Sequence, residues 1–506
     1  MAIQQLLGDL SWPANLGIFA CIPFIYVACK ILYRLSSLHP LAGIPGPLIA
    51  RITDLPLVWH AYIGDEAQYV HDLHLKYGPV VRIGTESVDF IDPGVIHPIY
   101  SHKGGFPKAK YYYNFDIDGH ATIFSLTDPA ARGARAKAIL PMFSIANIRK
   151  GSKPFTDSTE RFLAGLRERR ASGSANVLEC ARQMSIEAVT EYLFGIRYGS
   201  SSDANDSEVQ LAKGTTGKPK LSASAVVDNF ISTGRLWYLP PWLYDLADRL
   251  DALIFPNPSI KVSTDIVNEY VDRVLAAAQA ESERTKDKSA WNTYPCRLLL
   301  AGFSPSEVHA QCKDVIFAAT DTIGLTLGTL VFLLVKHPDV YDTLRAEVSS
   351  ATIAKSEDIQ QLPYLGGVVR EAVRLTGANP CRLPREVTAG GWQYGGRFYP
   401  AGTVVSASLT EMHYSEDIYA DAHAFKPERW ANATDEMNKC IMAFGLGARQ
   451  CVARAMSLWE LFNITYDLVR EDTLKGSRVA QDHIELYTTF NSKVKSGAID
   501  IVWPRD

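Results

Sequence analysis

At 506 residues the chain is long enough to bury a large core, and its 51 Lys+Arg against 55 Asp+Glu leave a formal net charge of −4. With so even a balance nothing points to nucleic acid or another polyanion, and any partner-docking charge must be local. The eight cysteines are scattered with no CxxC and no framework spacing, which suits a reducing compartment better than a disulfide scaffold.

The first element in chain order is the apolar run LGIFACIPFIYVACKILY, Leu16 to Tyr33, just long enough to span a bilayer core. It reads as a membrane anchor. A cleaved signal peptide is the alternative, disfavoured because Asp9 stands where a basic leader region belongs. Lys30 and Arg34 follow the run, so the positive-inside rule leaves everything after it in the cytosol. Next comes HPLAGIPGPL, whose Pro40, Pro45 and Pro47 cannot continue a helix and form a semi-rigid hinge. The expected organisation is an anchor over 1–36, a hinge over 37–50 and one globular domain over 51–506.

Within that domain, VVRIGTESVDFIDP (Val80–Pro93) alternates like a short hairpin, and GGWQYGGRFYPAGTVVSAS (Gly390–Ser408) reads as short strands between glycine and proline turns. Helical patterns dominate elsewhere, so the expected fold class is mainly α with a small β part. Polar stretches at Gly199–Asp206 and Glu281–Lys288 read as surface loops.

The longest helix begins at SPSE, where Ser304 caps, Pro305 takes the first helical position and Glu307 completes a capping box. It runs to the stop at Pro338. Length alone permits a second membrane span here, but Asp321 among several threonines favours a buried helix crossing the domain. Ala318-Ala319-Thr320-Asp321-Thr322 sets a carboxylate and a hydroxyl beside small residues. A threonine bonding back one turn can open a groove there, and Asp321 can then supply protons through Thr322 or water. Taken alone, such a pair is more often a satisfied polar contact.

On the next helix pattern, PYLGGVVREAVRL (Pro363–Leu375), Glu371 and Arg374 share one face and can pair. Arg429 in AFKPERW can join them, leaving Trp430 as an aromatic platform. Finally, FGLGARQCVARAMSLWEL (Phe444–Leu461) places Cys451 directly before a helix. Gly445 and Gly447 admit unusual backbone conformations, Arg449 offers a fork of donors to a carboxylate, and the helix start favours a thiolate on Cys451. The bland reading of Cys451 alone is a structural cysteine in a glycine turn.

Taken together, AATDT, ExxR, PERW and FxxGxRxC in this order resemble the cytochrome P450 family across essentially the whole chain. The resemblance implies the fold of that family and a haem b held by Cys451 as axial ligand, with Phe444, Gly445 and Gly447 forming the cradle. It implies Asp321 and Thr322 as the proton-delivery pair, and Glu371, Arg374 and Arg429 as a structural network. Arg385 in CRLPREV and Arg449 would contact the propionates. Ala453 and Ala319 stand where the family often has glycine. In SLTDPAARGARAKAILPMFS the family's Trp or His followed by Arg is replaced by Arg132 and Ala136, so Arg132 or Arg135 would reach a propionate instead.

The resemblance further implies a monooxygenase in the endoplasmic reticulum membrane, single-pass and facing the cytosol. Electrons from NADPH would arrive through a cytochrome P450 reductase, with cytochrome b5 as a possible second donor; Lys439, Arg449 and Arg454 are the candidate docking charges. Aromatic residues in KAKYYYNFD (Lys108–Asp116), GRLWYLPPWLY (Gly234–Tyr244) and ANPCRLP (Ala378–Pro384), within pocket segments that include residues 205–245, suit a lipophilic substrate such as a terpenoid or polyketide intermediate of fungal secondary metabolism. Trp237, Tyr238 and Trp242 are either core or membrane-dipping. The rival classes are a reductase-independent haem-thiolate isomerase or dehydratase, and a haem-binding membrane protein without catalysis.

Overall fold

The computed structural model describes residues 12–199, 227, 233–256, 258–284, 292–353 and 358–504, with the backbone alone for residues 12–21 and 259. Asp9, residues 205–226 and 228–232 of the expected pocket segment, most of the first polar stretch and half of the second lie outside the described residues.

Helices supply the frame, and nine of them bear on the site or on the surface around it. They are α1 (Trp12–Leu35), α2 (Leu55–Ile63), α3 (Pro129–Ile139), α4 (Lys153–Ser172), α5 (Val177–Phe194), α6 (Pro241–Ile254), α7 (Pro305–Lys336), α8 (Pro363–Thr376) and α9 (Arg454–Arg470). The expected capping box starts α7, with Ser304 Oγ accepting from Glu307 N–H and Glu307 accepting from Ser304 N–H. At 32 residues it spans about 48 Å. The helix α7 is long and apolar enough to cross a membrane, yet 72% of its apolar window is buried. It is the central core helix, as its interior carboxylate suggested. Gly324 lets α5 cross it closely, since a Cβ there would meet Arg182 Cγ at 2.4 Å.

The first hairpin forms as β1 (Val80–Arg82) and β2 (Ser87–Phe90). With β3 (Arg385–Glu386) and β4 (Val404–Ala407) it makes a four-stranded sheet in the order β1-β2-β4-β3, with β2 and β4 parallel. A later hairpin, β5 (Leu486–Thr488) and β6 (Ser492–Val494), turns through Thr489–Asn491. The proline-rich segment is packed rather than free. Leu41 and Ile44 are buried, Arg82 N–H donates to Pro45 O at 2.7 Å, and a Cβ on Gly46 would meet Arg82 O at 2.2 Å.

Trp237 and Tyr238 belong to the core: both are buried among Tyr111, Tyr112, Phe115 and Phe490. Trp242 on α6 is exposed.

Candidate functional site

Two groups inside the fold are open where their neighbours are closed. Ala318 is exposed on α7 although Ile316, Phe317, Thr320 and Asp321 around it are buried. Cys451 likewise has accessible surface while lying deep among protein atoms. Its backbone N–H donates to Phe444 O at 2.8 Å, which closes the glycine loop just before α9. Burial raises the thiol above its ordinary value; backbone N–H groups of Ala453 and Arg454 and the charges of Arg454 and Arg132 pull it back only in part.

Gly445 and Gly447 both have positive φ, 62° and 63°. Gly447 permits a close approach to the Tyr100 carbonyl, 2.1 Å from where a Cβ would sit. Tyr100 in turn donates its hydroxyl to Leu383 O at 3.0 Å and accepts from Ala407 N–H at 2.9 Å, and its ring lies 5.1 Å from the Arg385 guanidinium.

A cluster of cations surrounds this region. Arg449 donates to Leu126 O and Thr127 O, both at 2.6 Å, and burial with the nearby charges of Arg132 and Arg385 lowers it to about 10. Arg385 is buried and donates to Pro384 O at 3.0 Å. Arg132, half-buried, is lowered by burial and close enough to Cys451 to feel its charge. Arg135 turns elsewhere, to Glu307 Oε1 at 2.9 Å.

Sequence reasoning missed the fourth cation, Lys108, having read its segment only as pocket wall. Lys108 pairs opposite Arg385 in an antiparallel bridge, which sets two buried cations side by side. Its ammonium donates to Phe124 O at 2.6 Å, and burial with the charges of Arg385, Arg449 and Arg132 lowers it far below the usual lysine range. Among the described residues, none of these four cations has a carboxylate within ion-pairing distance. Asp314 on α7 is the acid nearest in effect; burial raises it to about 7, against hydrogen bonds from Thr122 and Phe124.

On α7, Thr322 is half-buried and its hydroxyl donates to Ala318 O at 2.8 Å, the back-bond expected. Asp321 is buried and held on both sides, by Arg182 at 2.9 Å and by the Asn491 amide at 3.2 Å. These partners lie 139 and 170 residues away, beyond any local pattern.

Glu371 is fully buried. It accepts from Arg374 at 2.7 and 3.0 Å, from Arg429 at 2.9 Å and from the Trp430 indole N–H at 2.9 Å. Trp430 is thus a donor in the network as well as an aromatic surface. Arg374 also binds His413 O and Ala422 O, each at 2.6 Å. Gly367 brings α8 onto this turn, because a Cβ there would meet Pro427 O at 2.4 Å.

The comparisons with known proteins agree. The sequence pattern of the Cytochrome P450 family matches residues 51–478. Cytochrome P450 monooxygenase mfmF of Annulohypoxylon moriforme is 31% identical over 95% of this chain and 98% of its own length. Cytochrome P450 monooxygenase stcB of Emericella nidulans is 26% identical over 85% of this chain and 81% of that protein, and pisatin demethylase of Fusarium vanettenii is 27% identical over 92% and 90%. With the family pattern on most of the chain and a relative matched along almost its whole length, the protein belongs to the cytochrome P450 family and is an oxidoreductase of its monooxygenase class.

Proposed function

We propose that the protein is a haem-dependent monooxygenase that takes electrons from NADPH through a separate reductase and oxidises a lipophilic small molecule, a terpenoid or polyketide intermediate of secondary metabolism. The observation that carries this is the juxtaposition around Cys451: an accessible cysteine, with two buried cations (Lys108, Arg385) and two half-buried ones (Arg132, Arg449) that have no carboxylate in ion-pairing distance among the described residues. Those residues fit a haem. Cys451 would hold the iron; Arg385, Arg449, Arg132 and Lys108 would meet the two propionates, whose negative charges relieve the repulsion among the four. Phe444, Gly445 and Gly447 shape the loop beneath. When bound, the group supplies the activation of dioxygen, which side chains alone cannot perform.

This chain's own residues do the rest. Ala318 leaves room against α7, and Thr322 presents its hydroxyl oxygen as an acceptor, with Asp321 behind it as proton source. The aromatic content of the Lys108–Asp116 segment suits an apolar ligand. Glu371, Arg374 and Arg429 hold the frame around the site.

The placement we propose is the endoplasmic reticulum membrane, single-pass, with the domain in the cytosol. Support comes from α1, whose described side chains from Ile22 to Leu35 are mostly exposed and apolar, and from the exposed Trp242, Leu246, Leu253 and Phe255 along and just beyond α6. The exposed Trp59 on α2 continues that surface, because Tyr62 donates to Asp251 of α6 at 2.9 Å. Lys439 and Arg454 are exposed and available to an acidic reductase or cytochrome b5, whereas Arg449 is spent on backbone carbonyls.

The test is the spectrum of the reduced, carbon monoxide-bound protein beside that of Cys451→Ser. A red-shifted Soret band lost in the variant is expected; a wild-type band without that shift would overturn the reading.

A further inference from the structure

We propose that Asn491 is a positioning residue for the Asp321 carboxylate. The inference rests on the reading of Asp321 and Thr322 as the proton-delivery pair.

Asn491 lies in the turn between β5 and β6 and is 4% exposed. Its side-chain amide donates from Nδ2 to Asp321 Oδ2 at 3.2 Å. That leaves its oxygen to accept from Asn379 Nδ2 at 2.8 Å. Asp321 Oδ1 meanwhile accepts from Arg182 at 2.9 Å. Both carboxylate oxygens are thus engaged away from Thr322, whose own proton goes to Ala318 O.

Of the two restraints on Asp321, the Arg182 contact is charge-assisted and shorter, while the amide contact is neutral on the donor side and longer. The amide is the weaker of the two, and its neighbours hold it in place. Ser492 fastens the tip to the end of α8, with N–H to Ala378 O at 2.9 Å and Oγ to Gly377 O at 2.5 Å. Phe490, the residue before Asn491, packs its ring 4.7 Å from Phe115 and 5.4 Å from Phe124.

The test uses the full-length holoenzyme with reductase and NADPH in air-saturated buffer, first without added ligand. In Asn491→Leu, similar in size but unable to donate, the share of electrons recovered as hydrogen peroxide should shift at least twofold while the thiolate spectrum stays. Asn379→Leu, which frees the Asn491 amide to turn, should shift it the same way by less, and decides the matter if the first variant fails to hold haem. A structural contact alone would not move that share. A second readout needs no turnover: the melting losses of Asn491→Leu and Asp321→Asn should be less than additive in the double variant. A wild-type peroxide share in both asparagine variants, or additive melting losses, would overturn the proposal. Asp321→Asn and Thr322→Ala separate the layers. If neither changes the peroxide share, the proton-delivery reading itself falls; if both do and the asparagine variants do not, only this inference falls.

Discussion

Glu460 on α9 should make the protein less stable at neutral pH than a glutamine in its place. The residue is 3% exposed, and its Oε1 is buried without a hydrogen-bond partner among the described residues. It borders a cavity of about 40 Å³ between α4 and α9, beside Ser152, Thr156, Thr159 and Asn463. Burial, with no cation to offset it, raises the carboxyl from 4.5 to about 8. The unfolded chain releases this proton near 4.5 and the folded chain keeps it to about 8, so the group's contribution is full below 4.5 and lost as pH rises to 8. Each pH unit in that window removes about 1.4 kcal/mol from the folded state, about 3 kcal/mol by neutrality. Unfolding entropy of about 2.1 cal/mol/K per residue gives about 1 kcal/mol/K for a chain of this size, so the melting shift is about 3 °C. Glutamine has the shape of the protonated acid and does not titrate. Melting curves of wild type and Glu460→Gln between about pH 5 and 8.5 should converge at the acid end and separate toward pH 8, the variant melting higher. Parallel curves, or a variant less stable at the alkaline end, would refute the reasoning.

Two other perturbations test the framework. Glu371→Gln leaves Arg374 and Arg429 without their shared counter-charge and should cost about 3–5 kcal/mol in denaturant titration, the usual effect of breaking a buried ion pair; a loss below about 1 kcal/mol would count against the network. Lys108→Met removes one of two opposed buried cations, so it should raise the melting temperature of the haem-free protein and speed haem loss from the holoprotein at least tenfold, measured by transfer to apomyoglobin. The same direction in both forms would contradict the assignment of Lys108.

What could be read without the fold was whatever a short stretch encodes by itself. The start of α7 was legible because a capping box is four residues of local chemistry, and β1 and β2 because alternation needs only a few positions. The Glu371 network was half legible: i,i+3 spacing joins Glu371 to Arg374, but Arg429 comes from 58 residues away and needed the PERW pattern to suggest it. Lys108 escaped because a buried cation is indistinguishable in sequence from a surface one; only its pairing with Arg385 shows what it faces. Local reasoning on Cys451 pointed to the helix start and overlooked burial, which acts from all sides and outweighs the backbone N–H groups. Trp237, Tyr238 and Trp242 sit close together in one aromatic run, yet two are core and one is exposed, a division that the chain's path alone decides.

The contacts of Tyr100 bear on how such a chain can diversify. Its main chain meets Gly447 in the cysteine loop, its ring lies against Arg385, and its hydroxyl joins Leu383 to Ala407 in the sheet. Cys451 and Arg385 are thereby measured from one common origin. The Lys108–Asp116 segment and the turn at Asn491 attach around that origin without defining it. Substitutions there can change the surroundings while the distance between the cysteine and the arginine is kept, so this region can vary without moving its centre.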